Sequence, residues 1–162
     1  MSKVYFTSDW HLGHVNIPKF RPWVKTEEEN TQLLCDNYAS LVTKRDTVYF
    51  LGDICFTENR LTDLKKLPGR KFLIRGNHDY LTTKQYLEVF EEVYGILSYK
   101  GFWLSHCPVH PNELRNRKNI HGHVHTQTVE DQRYFNVCVD RFVEKQQPYF
   151  LTSLEYLHTI AY

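Results

Sequence analysis

Residues 3–14 read KVYFTSDWHLGH, and the fold turns on how this stretch is understood. Val4 to Thr7 are β-branched or aromatic, which suits a buried strand. The run then stops on Asp9, with His11 two residues later and His14 three beyond that. A strand end turns polar where it meets water, and a metal site asks for the same letters. Partners elsewhere in the chain must decide.

The chain is 162 residues long, enough for one α/β domain over residues 1–162 with a sizeable core. With 24% charged and 41% apolar residues it has the composition of a globular protein. The formal net charge of +1 argues against nucleic acid as a partner held by phosphate neutralisation. No apolar run approaches the roughly 20 residues of a membrane span, and the N-terminus lacks a signal-peptide core, so a cytoplasmic protein is expected. Cys35, Cys55, Cys107 and Cys138 are far apart and read as reduced thiols in or near the core.

Strand-like runs occur at 4–8, 47–52, 71–75, 96–99, 102–105 and 134–139. Between them lie helical patterns. Residues 26–42 open with Thr26 and Glu29 in capping-box spacing and set Leu33, Leu34, Tyr38, Leu41 and Val42 on one face. Residues 59–67 repeat Leu every third position and stop at Pro68-Gly69; residues 82–95 read as a helix with Gly95 as C-cap; 152–160 read as a terminal helix capped by Thr152. The order β-α-β-α-β-α predicts parallel strands with right-handed crossovers in the first half. The SYKGF turn predicts antiparallel additions in the second.

Four of these runs are followed by residues that can bind a metal. Asp9 and His11 follow the first, Asp53 the second, Gly76-Asn77-His78-Asp79 the third, His106 the FWLS run, and a later IHGHVH segment holds His121, His123 and His125. Ligands of α/β sheets sit beyond the carboxyl ends of the strands, so the first three loops should share one edge. Carboxylate, amide and imidazole donors without thiolate suit Mn, Fe, Ni, Co, Zn or Mg. Residues two apart on an extended chain face one side, so Asp9 with His11, and His123 with His125, can form pincers, while Trp10 should point away as packing. Seven such donors are too many for one ion and suit two, roughly 3.5–4 Å apart.

The ordered motifs DWH, GD, GNHD, SH and HGHVH, spanning residues 9 to 125, resemble the signature of the calcineurin-like metallophosphoesterase superfamily, and the short chain resembles its small bacterial and phage-type members. The resemblance implies a sandwich of two mixed β-sheets flanked by helices and two divalent metal ions, Mn2+ being the expected one. It implies one ion held by Asp9, His11, Asp53 and His125, and the other by Asp53, Asn77, His106 and His123. It further implies a bridging hydroxide as nucleophile, His78 near the leaving group as general acid, and Asp79 orienting His78. The letters after Asp53 are ICFTENR, without the arginine run of protein phosphatases. The expected activity is therefore hydrolysis of a small phosphomonoester or phosphodiester, nucleotide-like. A nuclease, or a non-catalytic scaffold of the same fold, is the alternative.

Four residues are candidates for substrate contact: His14, which could equally cap its own loop; Arg75 before GNHD, which could equally pair with a surface acid; and Arg115 and Arg117, between two ligand motifs. His121 reads as a structural neighbour of the ligands, His110 as loop surface, and His158 as part of the terminal helix.

Overall fold

In a computed structural model, which describes residues 1–160, the apolar runs are strands buried on both faces. They are β1 (Val4–Thr7), β2 (Thr47–Phe50) and β3 (Arg70–Ile74), with α1 (Glu27–Leu41) and α2 (Glu58–Lys66) as their crossovers. Alternation along β2 sends Val48 and Phe50 to one side and Tyr49 and Leu51 to the other. Because helices cover one face and a second sheet the other, these strands lack the polar alternation of a half-exposed sheet.

The remaining elements are α3 (Thr83–Tyr86), β4 (Glu92–Tyr94), β5 (Ile96–Tyr99), β6 (Phe102–Ser105), β7 (Lys118–His121), β8 (Tyr134–Asn136), α4 (Val139–Glu144), β9 (Thr152–Ser153) and α5 (Leu154–Ile160). They complete a five-stranded sheet, β4-β3-β2-β1-β9, and a four-stranded sheet, β5-β6-β7-β8. Phe6, Tyr49, Leu51, Phe72 and Ile74 of the first sheet meet Phe102, Leu104 and Ile120 of the second in one apolar layer. The two mixed sheets flanked by helices are the expected architecture.

Several local expectations are corrected. Residues 82–95 are not one helix. The Thr82–Gln85 capping box forms, but regular helix ends at Tyr86 and residues 92–94 pair in parallel with β3. Edge pairing outweighs the helical pattern here, and Leu87 of that pattern is exposed. The second sheet is antiparallel only between β5 and β6; β6-β7 and β7-β8 are parallel. Residues 118–121 form a strand inside what reads as loop, and 139–144 form a helix at the end of the last strand-like run. Leu33 is exposed rather than on the buried face of α1. Thr152 lies in β9, and Ser153 Oγ accepts from Tyr156 N–H instead. No helix among the described residues is long and apolar enough to cross a membrane.

Candidate metal centre

The parallel order β3-β2-β1 brings the loops after all three strands to one edge. They are tied together there by backbone: Asp9 N–H donates to Gly52 O and His11 N–H to Asp53 O, both at 3.0 Å. The sheet interface brings the loops after β6 and β7 alongside, and His123 N–H donates to Asp9 Oδ2 at 2.9 Å. All seven expected donors therefore converge.

Their pairing follows from backbone conformation rather than strand alternation. Asp9 (φ 60°), His11 (φ 53°), Asp53 (φ 55°), His123 (φ 73°) and His125 (φ 51°) all occupy the left-handed region that residues with a Cβ avoid. β1 has ended at Thr7, so Asp9 and His11 converge through two left-handed residues, with Trp10 between them turned into the core. Trp10 is fully buried against Tyr38 and Phe50, its indole N–H donating to Thr7 Oγ1 at 2.7 Å.

The donor atoms have the spacing of ligands around ions. Two donors each about 2.1 Å from one ion stand about 3.0–3.4 Å apart. Asp9 Oδ1 lies 3.6 Å from His11 Nε2, and both atoms are buried without a hydrogen-bond partner. A nitrogen of the half-exposed His125 joins them, the three donor atoms lying within 4.8 Å of one another. On the other side, His106 Nε2 is 2.9 Å from Asn77 Oδ1, 3.2 Å from His123 Nδ1 and 3.3 Å from Asp53 Oδ2. The same Asp53 Oδ2 is 4.0 Å from His11 Nε2, between the two sets. Two buried, orphaned donors among carboxylate, amide and imidazole neighbours have the chemistry of a divalent-cation site.

The remaining lone pairs are committed elsewhere, which fixes how each donor faces. His106 Nδ1 bonds Leu51 O at 2.8 Å and His125 Nδ1 bonds Asp140 Oδ2 at 2.8 Å, leaving both Nε2 atoms for a ligand role. Asp9 Oδ2 accepts from Ser8 Oγ and from the Cys138 thiol, so Oδ1 is the free oxygen. Burial raises the Asp9 pKa, but the nearby His11 ring, the His106 charge and the Cys138 and Ser8 bonds outweigh it and hold the carboxyl well below its usual range. Burial likewise opposes a charged His106, yet the Asp53 bond and the Asp9 and Asp53 charges push it up to about 9 in the metal-free chain. Glycines make room for the approach: a Cβ on Gly76 would stand 2.5 Å from Asp53 N, and one on Gly122 2.5 Å from Asp9 Oδ2.

Two residues that sequence reading passed over hold this edge in place. Arg21, 1% exposed, forms a two-pronged pair with Asp140 at 2.8 and 2.9 Å. It also donates to the carbonyls of Asp9 and Trp10 and to Asn30 Oδ1. Asp140 thus connects Arg21 to the His125 ring, and Arg21 clasps the left-handed turn at Asp9. Arg21 lies in a loop and Asp140 in a short helix, and neither carries a motif.

Asp79 has a different part from the expected one. Its carboxylate accepts from Gly76, Asp53 and Ile54 N–H at 2.8–2.9 Å and so pins the β2 and β3 loops together. The His78 ring is oriented instead by Tyr80, whose hydroxyl lies 2.5 Å from Nδ1. His78 N–H donates to Asp53 Oδ1 at 2.8 Å, which places the residue beside the shared carboxylate.

Three of the four substrate-contact candidates are corrected. The Arg75 guanidinium donates to the carbonyls of Asp79 and Leu81 and lies over the Tyr86 ring, so it secures the GNHD loop. Lys118 pairs with Phe102 and its N–H donates to Gly101 O, which puts Arg115 and Arg117 near the far end of β6 from His106. There Arg117 covers the Trp103 ring and Arg115 approaches Glu113. His14 stays at the site: its ring centroid is 6.2 Å from His11 and 5.4 Å from Phe56, while its Nδ1 accepts from Asn16 N–H at 3.2 Å. His121 is buried, Nδ1 bonding Gly122 O; His110 Nδ1 caps a short 3-10 turn; His158 packs on Phe102.

A family model described as calcineurin-like phosphoesterase matches residues 2–148. An uncharacterized protein of Methanocaldococcus jannaschii, MJ1445, is 34% identical over 145 residues, covering 84% of this chain and 77% of its own. The gene 66 protein of Mycobacterium phage L5 is 30% identical, with 94% of this chain and 95% of its own covered. The crystal structure of an Aquifex aeolicus protein of unknown function, AQ665, superposes with a TM-score of 0.77 at 29% identity, covering 99% of this chain and all of that one.

Proposed function

Since the chain belongs to the calcineurin-like phosphoesterase family, a family of metal-dependent phosphoester hydrolases, we infer that it hydrolyses a small phosphate mono- or diester at a dinuclear centre. The observation that carries this reading is the single Asp53 oxygen lying 3.3 Å from His106 Nε2 and 4.0 Å from His11 Nε2. One carboxylate then serves both ions, Asp9, His11 and His125 complete one set, and Asn77, His106 and His123 the other. Mn2+ fits this mixed oxygen and imidazole set, as do Fe, Ni, Co, Zn and Mg.

When bound, the two cations supply positive charge to the phosphoryl oxygens and a water acidic enough to attack near neutral pH. The chain's residues do the rest. Asp53 fixes the spacing of the two donor sets and, through Oδ1, holds the His78 backbone beside them. The Tyr80 hydroxyl and His78 Nδ1 share one hydrogen bond, which leaves Nε2 as the ring atom that would give a leaving oxygen its proton. Asp79 and Arg75 keep that loop from moving by bonding its backbone. Four unpaired cysteines support a reducing, cytoplasmic setting.

Asp53→Asn tests the reading. Replacing the shared carboxylate should remove both ions and lower turnover of p-nitrophenyl and bis-p-nitrophenyl phosphate more than any other single ligand change. A variant with wild-type metal content and rate would show that no carboxylate is shared.

A further inference from the structure

The ligand edge carries a row of aromatic rings that the metal chemistry does not require. Phe56 is its centre, with its centroid 5.3 Å from His11. One arm runs from Phe56 to His14 at 5.4 Å and on to Phe20 at 5.9 Å. The other runs from Phe56 to His78 at 5.8 Å and on to Tyr80, which is 5.6 Å from His78 and 5.8 Å from Phe56. The outermost rings, Phe20 and Tyr80, are 71% and 65% exposed. Exposed aromatic rings beside a polar centre mark a contact surface.

The backbone beneath both outer rings is held by its neighbours. Phe20 precedes Arg21, which is anchored by its pair with Asp140, and Phe20 N–H closes a turn on Ile17 O at 3.0 Å. Tyr80 follows Asp79, which is 2% exposed and bonded to four backbone amides. The chain that carries these rings therefore needs little ordering to receive a flat group. Two arms that branch at Phe56, one ending at Phe20 and one at Tyr80, suit an ester with a flat group on each side of phosphorus. A monoester would use one arm only. The exposed groups at the ends of the arms are aromatic faces, and every nucleobase presents a face that stacks on one.

We propose that this centre acts on a phosphodiester joining two nucleosides, a dinucleotide or the end of a short single strand, with one base against His14 and Phe20 and the other against Tyr80. The proposal rests on the phosphoesterase reading above and adds the substrate class. A long polynucleotide is disfavoured by the net charge of +1.

The test uses the full chain loaded with Mn2+ and three substrates: dithymidine monophosphate, thymidine 5′-monophosphate and glycerophosphoglycerol, a diester without rings. The dinucleotide should have the highest kcat/KM. Phe20→Ala and Tyr80→Ala should each lower it about 5- to 150-fold, the value of one base stacked on one ring. Phe20→Trp should keep it within about threefold, because the face is retained; Tyr80→Phe should keep binding of an uncleaved analogue within the same range while lowering kcat, because its face stays but the bond to His78 is lost. Binding of methylphosphonate-linked dithymidine, read by calorimetry, should weaken in the two alanine variants by a similar factor. Equal kcat/KM for glycerophosphoglycerol and the dinucleotide, or alanine variants as effective as the parent, would overturn the base contacts alone. Failure to hydrolyse any phosphoester, bis-p-nitrophenyl phosphate included, with both ions bound would overturn the phosphoesterase reading and this proposal with it.

Discussion

Replacing Arg21 by Met should unfold the ligand edge before it touches the chemistry. Arg21 is 1% exposed and makes five hydrogen bonds: two to Asp140, and one each to Asp9 O, Trp10 O and Asn30 Oδ1. Removing one partner of a buried pair typically costs about 3–5 kcal/mol. The freed carbonyls add about 1–3 kcal/mol each if left dry, though such terms do not sum. One compensation exists, since Asp140 keeps His125, whose pKa that carboxylate already raises. The expected loss is therefore about 3–5 kcal/mol, or roughly 1.5–2.5 M in urea midpoint for a slope near 2 kcal/mol/M. Metal affinity should fall about 10- to 100-fold, because the His125 ring and the Asp9 turn both lose their support. Urea denaturation of the chelated chain, with metal content measured on the reloaded one, reads both quantities. The pair Arg21→Met with Asp140→Leu should recover part of the stability, as an apolar pair leaves no buried charge, yet not the metal affinity. A single variant that loses under 1 kcal/mol and keeps both ions would refute the argument.

His78→Ala should retain both ions by elemental analysis while slowing hydrolysis about 10²- to 10⁴-fold, most for poor leaving groups; loss of metal would instead make His78 a ligand. Gly122→Ala should cost about 1–3 kcal/mol and reduce metal content, since the added methyl meets Ser8 and Asp9 Oδ2; a wild-type urea midpoint would show that the β7 loop yields freely. In the chelated chain, the His106 pKa is raised from 6.5 to about 9. A group raised on folding stabilises fully below its unfolded pKa and loses that contribution as pH rises through its folded one. The chelated protein should therefore have a higher urea midpoint at pH 6 than at pH 9.5, and loading the ions should abolish this contribution. Equal midpoints without metal would contradict it.

The residues that gather at the candidate metal centre were legible because most are polar residues placed directly after an apolar run, and chain order alone puts three of those ends on one edge. His106 and the HGHVH segment stood out as donors too, but nothing local tells which sheet they close upon, and only the resemblance assigned them to an ion. The residues that stayed hidden act only through tertiary contacts. Arg21 and Asp140 are 119 positions apart and meet because α4 packs beside the first loop. Asp79 lay in a visible motif, but its four amide partners include three from another loop, which the motif does not reveal. The helix expected over 82–95 failed for a related reason. Its cap is real, but Glu91 N–H finds Lys71 O, and a strand edge offers residues 92–94 more than another helical turn would.

The reason Asp9 and His11 share a side changed most between sequence and structure. Alternation along an extended strand would have given the same pairing at no backbone cost. Instead, five ligand residues take left-handed backbone, each at about 1–2 kcal/mol. An extended strand sends its side chains perpendicular to the sheet, whereas these donors must gather beyond its end, and left-handed turns redirect them there. Glycine would relieve the strain but carries no donor, so aspartate and histidine must hold these conformations. They can do so only where surrounding bonds over-determine the backbone. The clamps are at those turns: Arg21 on Asp9 O, Asp79 on Asp53 N–H, Asp9 Oδ2 on His123 N–H, and Asn136 Nδ2 on His125 O at 2.7 Å. None of these bonds uses a metal. The edge is thereby shaped in advance, and binding energy from the ions need not be spent on bending the chain.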